Sequence, residues 1–293
     1  MRHVRSTTRA STLASTLALA LAAPAARAHH VPGHGASEGV RNINSLGGRG
    51  GRAQTRLLVL DEIVYARGGL NPSVANTTSL FGEYAPIPAL SLAVQAPFLV
   101  VHDLGGSGAR VGYGDTRVQL RVTPHAQRLI HRVVTLGLSA SLPTRTLRLA
   151  VDPGPVTSIA PNILFTRTYD RQFWQLMGLA VVDRRRAGTA LDLTLGGQAG
   201  TRLGDGKTTL GVGALFDLRL ANFCADPSGG AAFCTTTRPG EDDRPVGAAR
   251  ALVLVTAARA IGRRGHILTS VQAPLTTRAD FTVAGSVGAQ ISF

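Results

Sequence analysis

Aromatic residues make up only 5% of this 293-residue chain, lysine occurs once, at Lys207, and the only cysteines are Cys224 and Cys234. Beyond the first thirty residues no stretch approaches the roughly 18 uninterrupted apolar positions of a membrane-spanning helix, so helical spans are excluded. Two cysteines are too few for a disulfide scaffold or a cysteine-based zinc motif. Catalytic signatures are missing too: Gly-x-Ser-x-Gly, His-Glu-x-x-His and Cys-x-x-Cys do not occur. Gly206-Lys207-Thr208 imitates the end of a phosphate-binding loop, but Thr201 stands where the motif needs its first glycine. His102, His131 and His266 have no recognisable serine partner pattern. The chain therefore reads as a non-enzyme without a cofactor.

The first residues have the form of a secretion leader. Arg2, Arg5 and Arg9 precede a short alanine- and leucine-rich run, and Ala26-Arg27-Ala28 is a small-x-small cleavage site that predicts a mature chain from His29. This divides the chain into a signal peptide (1–28), a polar His/Gly-rich segment (29–52) and a folded remainder (53–293). His29, His30 and His34 admit a sharp reading, a weak divalent-metal tail, and a plainer one, a flexible leader or a plug that tucks into the barrel. The formal charge is +14, and +10 without the leader's four arginines (Arg2, Arg5, Arg9, Arg27). Export argues against a nucleic-acid partner for that charge. It also places Cys224 and Cys234 in a compartment where disulfides persist, and the short loop between them predicts a bridge.

The last thirteen residues alternate without a break. Phe281, Val283, Gly285, Val287, Ala289, Ile291 and Phe293 share one face, and Thr282, Ala284, Ser286, Gly288, Gln290 and Ser292 the other. Period two over this length is a strand whose faces meet different surroundings. A closing strand that ends on an aromatic resembles the C-terminal signal read by the barrel assembly machinery of bacterial outer membranes, with Phe293 as its last residue.

Alternation and turn residues predict twelve strands, near 54–66, 74–84, 88–99, 113–124, 131–142, 157–168, 171–183, 188–200, 207–220, 243–257, 260–273 and 280–293. The first, with adjacent Asp61 and Glu62, has no consistent phase and is expected to contain a bulge. Short connections are expected at Ala85–Ile87, His125–Ile130, Tyr169–Asp170, Thr201–Gly206 and Ala258–Arg259. The long ones (Val100–Gly112, Pro143–Val156, Ala221–Asp242) then all fall at the opposite end, as in outer-membrane barrels. The fold class is all-β, a transmembrane antiparallel barrel of about twelve strands in the bacterial outer membrane. Membrane lipid is its surrounding partner, and its interfacial aromatics are Tyr65, Tyr84, Phe98, Tyr113, Phe165, Tyr169, Phe173, Trp174, Phe281 and Phe293.

Carrying the phase of the regular strands through puts Gln95, Arg117, Gln119, Arg121, Asp192, Gln198, Asp217, Arg219, Arg250, Gln272 and Gln290 inside. Arginine in the hydrocarbon midplane costs about 2–4 kcal/mol, which forces these side chains inward. Arg117, Arg121, Arg219 and Arg250 against Asp192 and Asp217 predict a mildly positive lumen favouring anions, with Gln119 and Gln290 also lining it. The other reading has these charges pair across the interior and close it.

Two local runs carry a resemblance. Gly112-Tyr113-Gly114-Asp115, opening the strand Thr116–Thr123, and the strand Leu90–Val101 with Pro97-Phe98 resemble outer-membrane "transporter" barrels similar to the channel proteins of the meta-pathway of phenol degradation. The resemblance implies a monomeric barrel moving small, often hydrophobic or aromatic, molecules across the outer membrane, with Asp115 as a structural strand-start residue. Two functions are expected: a channel or transporter for small acidic or aromatic/hydrophobic solutes, or a closed structural or surface-binding barrel that transports nothing.

Overall fold

A computed structural model describes residues 53–66, 73–103, 108–127, 132–146, 157–185, 188–224, 246–276 and 282–293. The predicted signal peptide, His29, His30, His34, Cys234 and Phe281 lie outside the described residues, and with them the proposed metal tail and disulfide. Every regular element described is a strand: β1 (Arg56–Ala66), β2 (Ser73–Ile87), β3 (Leu90–Asp103), β4 (Gly108–Tyr113), β5 (Thr116–Gln127), β6 (Arg132–Leu142), β7 (Thr157–Tyr169), β8 (Gln172–Arg185), β9 (Gly188–Arg202), β10 (Thr208–Cys224), β11 (Ala249–Ile261), β12 (Gly265–Pro274) and β13 (Val283–Ser292).

All pairings are antiparallel and follow chain order, and the sheet closes where β1 pairs with β13 from Arg56↔Ser292 to Tyr65↔Val283. β4 and β5 both pair with β3 and together make one stave, so the thirteen segments form a closed twelve-stranded barrel. The interruption in that stave has a local cause. Gly114 donates its N–H to the Pro97 carbonyl at 2.9 Å, and a Cβ there would meet Leu99 Cδ1 at 2.7 Å and Pro97 Cγ at 2.9 Å. Fully buried Asp115 then accepts from the Arg145 backbone N–H at 3.2 Å and faces its guanidinium at 3.8 Å. The hydroxyls of Thr144 and Thr146 accept from the Thr116 and Tyr113 N–H groups, which lays residues 143–146 along the stave.

Burial alternates residue by residue with the apolar exposure on the outside, the reverse of a soluble sheet. Leu57, Val59, Ile63, Leu138, Ile163 and Val255 are all at least two-fifths exposed. A closed sheet satisfies its own backbone, and an apolar outer belt needs lipid, which places the barrel in the bacterial outer membrane. One outward carboxylate interrupts the belt. Asp61 accepts from Thr78 Oγ at 2.8 Å and from Asn76 Nδ2 at 3.1 and 3.2 Å, so its charge is hydrogen-bonded within the wall.

Several local expectations need correction. β1 carries no bulge: its register is unbroken against both neighbours, with Asp61 outside and Glu62 inside. Register shifts occur instead between Tyr84 and Ile87, Val122 and His125, and Arg219 and Ala221. The hairpin expected at Ala258–Arg259 turns at 262–264, because β11 stays paired to Ile261 and Gly262 supplies the positive φ of 62°. β3 and β10 extend to Asp103 and Cys224, so the loops that follow them begin later than expected. Phe173 is not an interfacial aromatic; it is buried and points inward, whereas Phe223, overlooked in the sequence, lies on the outer surface.

Short turns gather at one end, where Phe293 also donates its N–H to the Thr55 carbonyl at 3.0 Å. In outer-membrane barrels the short-turn end faces the periplasm. One such turn, 203–207, is held by Asp205, which accepts from the Lys207 and Thr208 N–H groups at 2.9 Å and from Thr208 Oγ at 2.9 Å. Those backbone bonds hold the Asp205 carboxyl below its ordinary pKa. A depressed carboxylate pKa gives stabilisation that is present above the unfolded value of about 3.9 and lost as pH falls through the folded one. Asp205→Asn is expected to lower the exchange protection factors of the Lys207 and Thr208 amides near neutral pH, and strong acid should lower them in the wild type. Equal protection in both proteins at neutral pH would show that the carboxylate does not hold the turn.

Candidate functional site: the barrel interior

Inward positions carry two kinds of side chain. The first is charged and paired. Arg56 on β1 lies opposite Glu83 on β2, and its Nε donates to Glu83 at 2.7 Å. Arg121 reaches the same carboxylate from β5, donating at 3.0 and 3.1 Å. It does so across β3, where the inward residues at that height, Ser91 and Ala93, are small enough to let it pass. Ser91 adds a hydroxyl donor to Glu83 at 2.6 Å. The Arg56 guanidinium also lies 5.3 Å over the Phe81 ring and donates to Gln290 Oε1 at 3.3 Å. Four staves thus meet on one carboxylate.

On the opposite wall, Arg219 on β10 grips Asp192 on β9 with two bonds, 2.7 and 3.2 Å, and donates to Asn222 at 2.6 Å. One inward step away, Asp217 accepts from Thr194 at 2.6 Å and faces Arg250 on β11 at 3.5 Å. Three of these contacts join residues directly opposite in register, Arg219↔Asp192, Asp217↔Thr194 and Asp217↔Arg250. Gln198, Gln175 and Thr166 form a third chain of bonds at 2.6 and 3.2 Å.

The second kind is apolar. Leu58, Leu60, Phe81, Ala93 and Leu268 form one inward cluster, and Ala160, Leu179 and Val181 another. These residues were not anticipated as lining. They belong to strands whose two faces are both apolar, such as β1, where Leu57 and Val59 point out while Leu58 and Leu60 point in. Hydropathy cannot assign a phase to such a strand.

Every residue expected inside from the regular strands sits on the inward phase: Arg117, Gln119 and Arg121 on β5, Asp192 and Gln198 on β9, Asp217 and Arg219 on β10, and Arg250, Gln272, Gln290 and Gln95 on their own staves. The structure brings together Arg219 with Asp192, Arg250 with Asp217, and Arg121 with Gln290 through Glu83 and Arg56. More charged side chains line the interior than expected. Arg56, Arg110, Arg145 and Arg202 join the four arginines, while Glu62, Glu83, Asp115 and Asp183 join the two aspartates, so eight cations meet six anions on the inward side among the described residues. Most of these side chains, Arg121 and Arg219 at 1% exposure among them, are covered by their neighbours.

The chain matches no protein-family model and no curated protein. Among solved structures, it is similar to the COG4313 outer membrane channel from Pseudomonas putida F1, at 13% identity and a TM-score of 0.60 over 82% of this chain and 96% of that one. It is also similar to the NanC porin, at 7% identity and a TM-score of 0.50, covering 81% and 98% of the two chains. At these identities the likeness is one of fold, that of the outer-membrane barrel.

Proposed function

We propose that this barrel is a narrow outer-membrane channel or transporter for small solutes, of a kind that pairs an acidic group with an aromatic or hydrophobic body. The observation that carries this reading is the mixed interior, in which ion-paired arginines and patches of inward leucine, valine and phenylalanine share one wall. A solely aqueous pore would have no use for the leucines, and an apolar conduit no use for the arginines. A carboxylate could exchange with a protein carboxylate at an arginine while its ring rests on the neighbouring apolar patch. The fold likeness to channels, and the resemblance of the strand-start motif at Gly112–Asp115 to barrels that pass aromatic compounds, support the same reading. The pore-lining set is Arg117, Gln119, Arg121, Asp192, Asp217, Arg219, Arg250 and Gln290.

A second reading, a closed barrel with a structural or surface-binding role, is favoured by one observation: the inward charges are paired and covered. Reconstitution separates the two. In planar bilayers the channel reading expects small conductance steps with a mild anion preference, because the inward arginines outnumber the inward carboxylates among the described residues, and Arg117→Gln with Arg121→Gln should shift that selectivity toward cations. In liposomes, benzoate should enter severalfold faster than a neutral sugar of similar size. Silence in both assays, from protein whose heat-modifiable migration proves that it folded, would establish the closed barrel.

A further inference from the structure

Two arginines on the outside of the barrel have no ion-pair partner among the described residues. Arg132 on β6 and Arg167 on β7 lie directly opposite each other in register. Their burial phase is that of Leu136 and Leu138 on β6 and of Ile159 and Ile163 on β7, so both face outward. Like charges directly opposed across two strands destabilise the pair. No ion pair relieves them among the described residues, and Arg132 Nε is buried without a hydrogen-bond partner. Neighbouring residues offer little help: the sequence 128–131 contains no acid, and Asp170, in the turn after β7, makes no ion pair with either arginine.

What surrounds them identifies the missing partner. Trp174 on β8 pairs in register with Arg167, lies partly exposed on the same outer face, and stacks at 5.0 Å on Phe165. Tryptophan on a barrel's outer face marks headgroup level. Both arginines sit at the short-turn end of their strands, beyond the apolar belt. That end adds exposed Arg171, Lys207, Arg263 and Arg264 in its turns and Arg259 near the end of β11. An anion at this height, outside the wall, is a lipid phosphate of the periplasmic leaflet. Guanidinium groups bind phosphate oxygens in a bidentate fork, and two side by side favour a lipid with net negative charge over a zwitterionic one.

We infer that Arg132 and Arg167, roofed by Trp174 and Phe165, form a docking site for the phosphate headgroup of an anionic phospholipid in the periplasmic leaflet. One phosphate bridges the two guanidiniums and removes their repulsion, while the acyl chains run up the outer face past Phe165 toward Ile163. The site is separate from the interior and does not depend on what the barrel transports.

Trp174 is the single tryptophan, so its fluorescence reports this site alone. The experiment titrates the purified, folded barrel in detergent with phosphatidylglycerol or phosphatidylethanolamine carrying brominated acyl chains, which quench a nearby indole. Half-quenching is expected at about a thirtyfold lower mole fraction of phosphatidylglycerol, as two surface cations imply. The double variant R132Q/R167Q should lose that preference, while R263Q/R264Q, which removes two turn charges from the same end, should keep it. If the double variant does not fold, R132Q and R167Q taken singly should each lower the preference about fivefold. Equal quenching by the two lipids would overturn the proposal, as would equal loss in R132Q/R167Q and R263Q/R264Q. Inorganic phosphate that reverses the quenching, where chloride at equal ionic strength does not, would show a free-anion site and overturn the lipid assignment.

Discussion

Glu83→Gln is expected to lower the barrel's stability by about 3–5 kcal/mol, the range for removing one partner of a buried ion pair. Glu83 is the single carboxylate between Arg56 and Arg121, and its side chain and theirs are at most 2% exposed. With glutamine in its place the shape survives and one hydrogen bond to each arginine remains possible, but two guanidiniums stay desolvated with no opposing charge between them. The effect should appear as a lower midpoint in urea unfolding followed by Trp174 fluorescence, and as a lower temperature for the heat-modifiable shift. The same reasoning predicts the opposite for a complete replacement. Arg56→Leu, Glu83→Leu and Arg121→Met together remove the desolvation cost along with the attraction and should restore most of the lost stability. An unchanged midpoint in Glu83→Gln would mean that water reaches these groups and that the interior is open at their height.

The second large effect is steric. Gly200→Val should abolish folding or cost more than about 3 kcal/mol, because a Cβ at Gly200 would overlap the Leu210 carbonyl oxygen and the Phe173 ring. Phe173 is the inward aromatic of β8 and lies over two glycines on neighbouring staves; a Cβ at Gly211 would come within 3.3 Å of the same ring. The ring fills the space that two missing side chains leave and packs where a larger wall residue could not. Adding Phe173→Ala to Gly200→Val removes one collision and leaves the other, with the backbone oxygen, so only partial recovery is expected. Full recovery would show that the ring alone excludes a side chain at 200. A heat-modifiable Gly200→Val protein with wild-type stability would show that β8, β9 and β10 can spread without cost.

Much of the architecture is legible in the sequence because a membrane-spanning sheet imposes one simple rule on every strand. Lipid on one side and protein on the other force alternation, and β5, β6, β9, β10 and β13 write it clearly enough to place Arg117, Asp192, Asp217 and Gln290 correctly from period alone. The glycines and charges near the turns also bracket the strands, although paired backbone carries β11 two residues past the expected turn, to Ile261, before Gly262 begins the observed one. Failure came where both faces are apolar. In β1 the leucines at 57, 58 and 60 and the valine at 59 give no phase, and so Arg56, Glu62 and the inward leucines stayed hidden. Glu83 was missed for a related reason, since β2 mixes serine, threonine and alanine inside with asparagine and threonine outside.

By itself, then, the sequence determined that the chain forms alternating strands in a lipid-facing wall, and which side chains the regular strands turn inward, because both follow from the period of two and the cost of a charge in hydrocarbon. Only the tertiary structure decided which inward charge meets which. Partners such as Glu83 and Arg121, 38 positions apart along the chain, are set by register and by the closure of β1 on β13. A one-residue slip would have left the composition of every strand unchanged while turning each side chain to the other face. That register pairs the inward charges across neighbouring staves, and leaves Arg132 beside Arg167 on the outside.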